Sequence, residues 1–172
     1  MMFDFQPTLS ASALTLRPAR AADWDGLFAA GGDPLVWAQH PEPDRGTAEK
    51  FRTYFEDGLA SGGALVATEN TSNTIIGWSR YSPQFAGPGE IEIGWTFLGR
   101  PWWGGAYNRE MKQLMLAHAF TFVPVVIFRI GVDNLRSRRG VEKLGARLLD
   151  KTQPTTSCLL PSHNVYYGIA RA

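Results

Sequence analysis

The chain has 172 residues, which is enough for one domain with a substantial buried core. Hydrophobic residues make up 44% and charged residues 19%, proportions that exclude a disordered chain. The formal net charge of +1 creates no field that would select nucleic acid or an acidic membrane surface, so we expect neither as a partner.

The cysteine content and the hydropathy pattern point to a reducing, aqueous environment. The single cysteine, Cys158, excludes an internal disulfide, and we expect its thiol to be inert. No apolar run reaches membrane-spanning length, and the N-terminus lacks a basic-then-apolar signal pattern, so we expect a cytoplasmic protein. Cysteine, histidine and acidic residues show no metal-ligand spacing, so no metal is expected.

The first half of the chain alternates short periodic segments with turns. Residues 1–12 are expected to be a loose lead-in, and residues 13–172 to form one domain. Hydrophobic periodicity and capping residues predict strands over 13–17, 64–68 and 74–81, and helices over 23–30 and 47–60. Proline-rich sequence predicts a loop over 37–45.

The second half follows the order strand, small-residue turn, helix, strand, helix. We predict an acidic strand over 90–98, a helix from the turn to about residue 122, a strand over 125–132 and a helix over 134–145. Strands over 146–151 and 164–171 complete the chain, and a loop is predicted over 82–89. His118 falls on an apolar helix stripe, which favours a hydrogen-bonded core residue over a base.

The turn before the first of these two helices consists of small residues. Gly104, Gly105 and Ala106 expose backbone N–H groups that larger side chains would cover, and a helix N-terminus adds a favourable dipole. The turn therefore suits an anion such as a phosphate. A glycine-rich turn between a strand and a helix can equally be structural.

Three sequence patterns together resemble the GNAT superfamily of acyl-CoA-dependent N-acyltransferases. They are Leu14-Thr15-Leu16-Arg17-Pro18 followed by Asp23, then Trp103-Gly104-Gly105-Ala106 after the acidic strand, then Asn134-Leu135-Arg136-Ser137 continuing to Gly145. The resemblance covers residues 13–171. It is closest to the branch that includes the ribosomal-protein N-terminal acetyltransferases.

This resemblance implies a fold and an activity. The expected fold is a single α/β domain with a mixed, mostly antiparallel twisted sheet flanked by helices. Strands 90–98 and 125–132 would splay to admit the acyl-CoA tail. The implied reaction moves an acetyl group from acetyl-CoA to a primary amine by direct attack on the thioester, without a covalent enzyme intermediate.

The resemblance also implies a set of cofactor-binding residues. N–H groups from Gly104 to Asn108 would cradle the pyrophosphate, and a backbone N–H of Phe97 or its neighbour would stabilise the oxyanion. Asn134 either contacts the cofactor or is a plain helix cap, since asparagine favours both. The full set is Phe97, Leu98, Trp103, Gly104, Gly105, Ala106, Tyr107, Asn108, Arg109, Asn134, Ser137 and Arg138.

The sequence departs from the superfamily at two points. Where many members carry glutamine or arginine before the turn, this chain has Pro101, so Arg109 or Arg138 is expected to supply the positive charge. Where many relatives carry a tyrosine that protonates the leaving thiolate, this chain has Val141, which puts tyrosine acid catalysis in doubt.

Glu92 and Glu90 are the candidate catalytic bases. They alternate with isoleucines, so both carboxylates are expected on one face of the strand, where one could take the proton of an attacking amine. The alternative is a solvent-facing pair, which is common in antiparallel sheets.

The acceptor remains open at this stage. It is either a protein N-terminus or a small-molecule amine, contacted by loops 35–45 and 82–89, with Trp37 and Trp102 as candidate walls of its pocket. A non-catalytic acyl-CoA-binding regulatory module is the alternative function, and a homodimer is left open.

Overall fold

A computed structural model describes residues 2–150 and 164–171. In this part of the chain eight strands form one sheet. The strands are β1 (Leu9–Ser10), β2 (Leu14–Pro18), β3 (Ala64–Glu69), β4 (Ile75–Ser82), β5 (Glu90–Leu98), β6 (Val125–Gly131), β7 (Arg147–Leu149) and β8 (Asn164–Ala170).

The sheet order is β1-β2-β3-β4-β5-β6-β8-β7. Every neighbouring pair is antiparallel except β5 and β6, which run parallel. The parallel pair needs a crossover, and the chain between the two strands supplies it as a helix. The predicted α/β fold with a mixed, mostly antiparallel sheet is confirmed.

Within residues 2–150 and 164–171, five α-helices cover the two faces of the sheet. They are α1 (Trp24–Gly31), α2 (Pro34–Trp37), α3 (Ala48–Ala60), α4 (Tyr107–Ala119) and α5 (Leu135–Glu142), with short 3-10 turns at Ala21–Asp23 and Arg100–Trp102. The sheet separates two hydrophobic cores. Adjacent residues of β3 show this, because Leu65 packs in the core with α4 and Val66 in the core with α1 and α3.

The parallel strands β5 and β6 pair only at their beginnings. Their register runs from Glu90 opposite Val125 to Glu92 opposite Ile127, although β5 continues to Leu98 and β6 to Gly131. The predicted separation of these two strands is therefore observed.

A bulge in β5 coincides with this separation. Arg80 lies opposite Gly94 and Trp78 opposite Phe97, so two residues of β5 face one residue of β4. Trp95, in the bulge, has a φ of 50°. The Tyr54 hydroxyl donates to the Trp95 carbonyl oxygen and accepts a hydrogen bond from Trp78 Nε1 at 2.6 Å. These buried bonds hold the bulge in place.

The N-terminal residues differ from the expected loose lead-in. Phe3 packs on Tyr81 and Phe122 with ring centroids 5.1 Å apart in each case, and residues Leu9–Ser10 form strand β1. His118 Nε2 lies 2.8 Å from the Asp4 carbonyl oxygen, so the predicted hydrogen-bonded histidine holds the N-terminal segment. The expectation is wrong because aromatic residues between polar ones can dock on a core built elsewhere in the chain.

Element ends also differ from the predictions. The short helix α2 was not predicted, and the predicted helices 107–122 and 134–145 end earlier, at Ala119 and Glu142. Helix ends fray, so sequence signals fix them poorly. Cys158 and the end of the predicted strand 146–151 lie outside the described residues.

Candidate active site

The separated strands β5 and β6 enclose a cavity of about 550 Å³. It extends from Glu92, where strand pairing ends, to Gly104 in the turn before α4. Residues of the loop between α2 and α3 and of helix α5 complete its walls. Trp37 and Trp102, the predicted pocket walls, both line it. We refer to this space as the cleft.

The turn at one end of the cleft has an open, left-handed conformation. Gly104 has a φ of +76°, and an ideal Cβ at this position would meet no atom within 4 Å. Helix α4 begins at Tyr107, so the N–H groups of its first turn have no partner within the helix. Gly104 and Asn108 both line the cleft. The turn therefore leaves backbone N–H groups without a partner in the helix, and anion binding there stays a prediction.

Two aromatic side chains of this segment, Trp103 and Tyr107, have structural partners. Trp103 Nε1 donates to the Leu98 carbonyl oxygen at 2.7 Å, and Arg136 stacks over the Trp103 ring at 4.1 Å. The Tyr107 hydroxyl donates to Glu69 Oε1 at 2.5 Å. Any contact of Tyr107 with a ligand in the cleft would therefore involve its backbone.

Helix α5 borders the cleft through its first turn. Asn134 is buried, and its Oδ1 accepts a hydrogen bond from the Ser137 backbone N–H at 3.1 Å, which is the helix-cap alternative. Asn134 and Ser137 both line the cleft. Arg138 instead donates to the Tyr167 hydroxyl at 3.0 Å and the Val132 carbonyl oxygen at 2.8 Å.

The two arginines predicted to supply a positive charge to a phosphate, Arg109 and Arg138, are not among the described residues that line the cleft. Arg138 is engaged in the contacts just described, Arg109 is exposed on α4, and Arg100 pairs with Asp33. Among the arginines of α5, Arg136 lines the cleft. Phe97 and Leu98 are buried and line the cleft beyond the bulge of β5.

Glu92 is the buried carboxylate of the cleft. It is 1% exposed, and its Oε2 has no hydrogen-bond partner within the described residues. Burial raises the pKa of Glu92 to about 7, against the opposing effect of the Arg129 and Arg80 charges. Arg129 Nε lies 3.8 Å from Glu92 Oε1. A carboxyl group with this pKa can exchange a proton near neutral pH.

Glu90 is placed differently from Glu92. It lies at the start of β5, is partly exposed, and accepts a hydrogen bond from the Gly87 backbone N–H at 2.8 Å. The described lining of the cleft includes Glu92 and not Glu90. Of the two predicted bases, the geometry favours Glu92.

Lys112 is a buried residue of the cleft that the sequence interpretation missed. It is 5% exposed, and its ammonium group donates to Thr96 Oγ1 at 2.5 Å and Ser79 Oγ at 3.3 Å. Burial lowers the pKa of Lys112 to about 7. The sequence did carry a signal for its burial. Lys112 lies one helical turn before Met115 and Leu116, which are both buried, so it shares their face of helix α4.

Two arginines near Glu92 were also missed. Arg80 and Arg129 lie within strands that are otherwise largely buried, β4 and β6. An arginine inside a strand of apolar and aromatic residues is the sequence signal that could have identified each of them, since a buried charge needs a partner or a function.

The fold and this site define an acyltransferase-like architecture: a mostly antiparallel sheet whose two parallel central strands separate over a cleft with an open glycine turn at one end. The chain belongs to the GNAT acetyltransferase family, because the family model described as "Acetyltransferase (GNAT) domain" matches residues 13–147. A search of curated proteins by sequence gave no match.

Solved structures with the same fold are acetyltransferases by their descriptions. A GCN5-related N-acetyltransferase from Brucella melitensis has a TM-score of 0.81 at 18% identity, over 96% of this chain and 79% of that chain. A GNAT-family acetyltransferase from Bacillus anthracis has a TM-score of 0.76 at 20% identity, over 95% and 98%. A provisionally assigned ribosomal-protein-serine acetyltransferase from Vibrio cholerae has a TM-score of 0.72 at 12% identity, over 96% and 98%.

Two further observations bear on the expected partners. No helix among residues 2–150 and 164–171 combines the length and apolar character needed to cross a membrane. In the same part of the chain, histidine, cysteine and acidic side chains do not gather in groups of three or more that could hold a metal ion.

Proposed function

We propose that the protein is an N-acetyltransferase that transfers an acetyl group from acetyl-CoA to a primary amine. The observation that carries this proposal is the continuity of the cleft, which joins the open Gly104 turn to the buried Glu92 carboxyl between the separated strands. A donor bound at the turn would extend along β5 toward a group that can accept a proton. The reaction is proposed to take place in the cytoplasm, because one cysteine fits a reducing compartment.

The residues of the cleft fit acetyl-CoA, which supplies an activated acetyl thioester when bound. N–H groups from Gly104 to Asn108 are proposed to hold the pyrophosphate, since the Gly104 turn leaves space where a side chain would stand. Asn134 and Ser137 would contact the pantetheine arm from α5, and the backbone near Phe97 and Leu98 would face the thioester. Arg136 would supply the nearby positive charge.

The proposed chemistry is a direct transfer. The amine nitrogen attacks the thioester carbonyl carbon, a C–N bond forms, and the C–S bond breaks. Glu92 accepts the proton that the amine loses, and the thiolate leaves and takes up a proton as the free thiol. With a pKa of about 7, the Glu92 carboxyl is partly ionised at neutral pH, so it can both accept a proton and return it to water.

The experiment that tests the proposal combines ligand binding and turnover. A ligand present at about 100 times its dissociation constant adds roughly 2.7 kcal/mol to the free energy of unfolding. We expect acetyl-CoA to raise the melting temperature clearly and NAD to raise it much less, and we expect thiol release with at least one member of a panel of amines.

Each outcome has a distinct meaning. Equal effects of acetyl-CoA and NAD, or none, would remove the cofactor proposal. Stabilisation by acetyl-CoA without thiol release from any amine would favour the non-catalytic acyl-CoA-binding module, which the valine at position 141 keeps as the alternative.

A further inference from the structure

A second cavity of about 390 Å³ adjoins the cleft on the α3 side of the sheet. Trp95 and Arg129 line both spaces, so the cleft and the second cavity share a wall. Glu92 lies at that wall, with its carboxylate 3.8 Å from Arg129 Nε. The residues around the second cavity are Asp57, Ser61, Arg80, Ser82, Gln84, Phe85, Trp95 and Arg129.

Two arginines of the second cavity have hydrogen-bonding capacity that no described residue uses. Arg80 is 7% exposed, yet its guanidinium donates to one described acceptor, the Asp57 carbonyl oxygen at 3.3 Å. Arg129 has a side chain that is 22% exposed, and its Nε, like that of Arg80, is buried without a hydrogen-bond partner among the described residues. Buried donors are normally paired, so this arrangement favours a ligand that supplies acceptors.

Aromatic rings fix the orientation of both guanidinium groups. Arg80 Cζ lies 3.6 Å from the centre of the Trp95 ring, and Arg129 Cζ lies 3.9 Å from the centre of the Phe85 ring. Stacking covers the flat face of a guanidinium and leaves its N–H edge for in-plane hydrogen bonds. That edge matches the two oxygens of a carboxylate.

The charges around the second cavity disfavour a ligand with a large net negative charge. Arg80 and Arg129 contribute two positive charges, Asp57 one negative charge, and Glu92 a further negative charge when it is ionised. The local sum is therefore zero or +1, depending on the Glu92 proton. With Glu92 ionised, as the proposed base requires, a zwitterionic α-amino acid keeps the sum at zero because its ammonium and carboxylate cancel, whereas a phosphate dianion would leave an excess of negative charge.

We infer that Arg80 and Arg129 form a carboxylate subsite for the acceptor, and that the acceptor is a small amino acid. This inference rests on the proposed function and names its substrate class. Because Arg129 lies 3.8 Å from Glu92, an amine approaching Glu92 and a carboxylate bound by the arginines must be only a few bonds apart. An α-amino acid has this separation between its amine and its carboxylate.

The test compares free amino acids with their amides. With acetyl-CoA at saturation, kcat/KM is measured by thiol release for a panel of L-amino acids and for their C-terminal amides, which keep the amine and lose the anion. We expect the preferred acid to exceed its amide by at least about tenfold, a difference typical of a charge-assisted bidentate contact.

Variants connect this preference to the arginines. Arg80→Gln and Arg129→Gln are expected to lower kcat/KM for the acid by at least about tenfold more than for the amide, because a change that acts only on Glu92 would affect both substrates equally. The matched control is Arg52→Gln, since Arg52 also stacks on a tryptophan, Trp24, at 3.4 Å but lines neither cavity. It should leave the ratio of acid to amide unchanged.

The inference and the proposed function fail in different ways. Equal kcat/KM for acids and amides in the wild type would overturn the subsite and leave acetyl transfer intact. If peptides with acidic first residues, added to the panel, are preferred over free amino acids, the free amino acid is overturned as the acceptor. If no amine reacts, the proposed function fails, and calorimetric titration with the same acids and amides tests the subsite alone. Binding of the acid that Arg129→Gln abolishes supports it, and absence of binding overturns it.

Discussion

The two ends of the cleft are built in different ways. At the Gly104 end, the donors are backbone N–H groups that a left-handed glycine and a helix start leave open. At the Glu92 end, the chemistry lies in side chains from three strands, with Arg80 on β4, Glu92 on β5 and Arg129 on β6. The Gly104 end depends on backbone conformation, and the Glu92 end depends on the charges of buried side chains.

This difference determines how each end should respond to mutation. Backbone donors survive most side-chain changes and fail when bulk fills the space beside them. Buried charges respond to the loss of a single ionisable group, since burial amplifies electrostatic effects. The following predictions test this contrast, and the strongest expected loss of activity comes first.

The largest effect is expected at Glu92. Glu92→Gln keeps the shape of the side chain and removes the base, so kcat should fall by about 10²–10⁴. The wild-type rate should rise as Glu92 ionises, through about pH 7, and this dependence should weaken in the variant. Steady-state kinetics across pH measures both.

Glu90→Gln is the matched control for this variant. Its carboxylate holds the Gly87 backbone outside the cleft, so we expect a much smaller loss of kcat. The pH dependence of the free energy of unfolding is a second control. Burial raises the pKa of Glu92 from 4.5 to about 7, so the folded chain binds more protons than the unfolded one between these values. The wild type should therefore lose stability relative to Glu92→Gln as pH rises from 4.5 to about 7, by up to about 1.4 kcal/mol per pH unit. Equal activity of both variants with a good acceptor would contradict the carboxylate base.

A smaller effect is expected at the Gly104 turn. Gly104→Val places a branched side chain where the cofactor phosphates are proposed to lie, and acetyl-CoA affinity should fall by at least about tenfold, or 1.4 kcal/mol. Calorimetric titration with acetyl-CoA gives this value directly.

Gly62→Val is the matched control for strain. Gly62 has a φ of +67° and nothing within 4 Å of an ideal Cβ, as Gly104 does, but it lies in the turn after α3. Both variants should lose about 1–2 kcal/mol of stability through the left-handed backbone. A similar loss of acetyl-CoA affinity in both would mean that strain, and not the lost space, is responsible.

The last prediction concerns the stability of the fold, and not catalysis or binding, at Lys112 on the α4 side of the cleft. Burial lowers the pKa of Lys112 from 10.5 to about 7, so the unfolded chain binds more protons than the folded one between these values. The wild type should therefore lose stability relative to Lys112→Met as pH falls from about 10.5 to 7, by up to about 1.4 kcal/mol per unit. Denaturant unfolding at several pH values measures the difference. Parallel pH profiles would show that Lys112 remains charged in the folded protein.

Much of the fold was determined by local sequence. The alternation of glutamate and isoleucine at the start of β5, the spacing of Phe51, Tyr54 and Phe55 in α3, and the small residues before α4 each act within one turn or strand. Patterns of this kind depend on which face of an element is buried, and neighbouring residues largely decide that. The Gly104 turn was predictable for the same reason, since its donors come from consecutive residues.

The other end of the cleft was decided by tertiary structure. Strand alternation places Glu90 and Glu92 on one face, but only the register with β6 and the bulge at Trp95 bring Glu92 to the point where the strands separate. Arg80 reaches Glu92 from the preceding strand β4, and Arg129 reaches it from β6, which follows helix α4 in the chain. Burial, and with it the pKa of Glu92, depends on those long-range contacts, because the dielectric around a charge is set by everything packed against it.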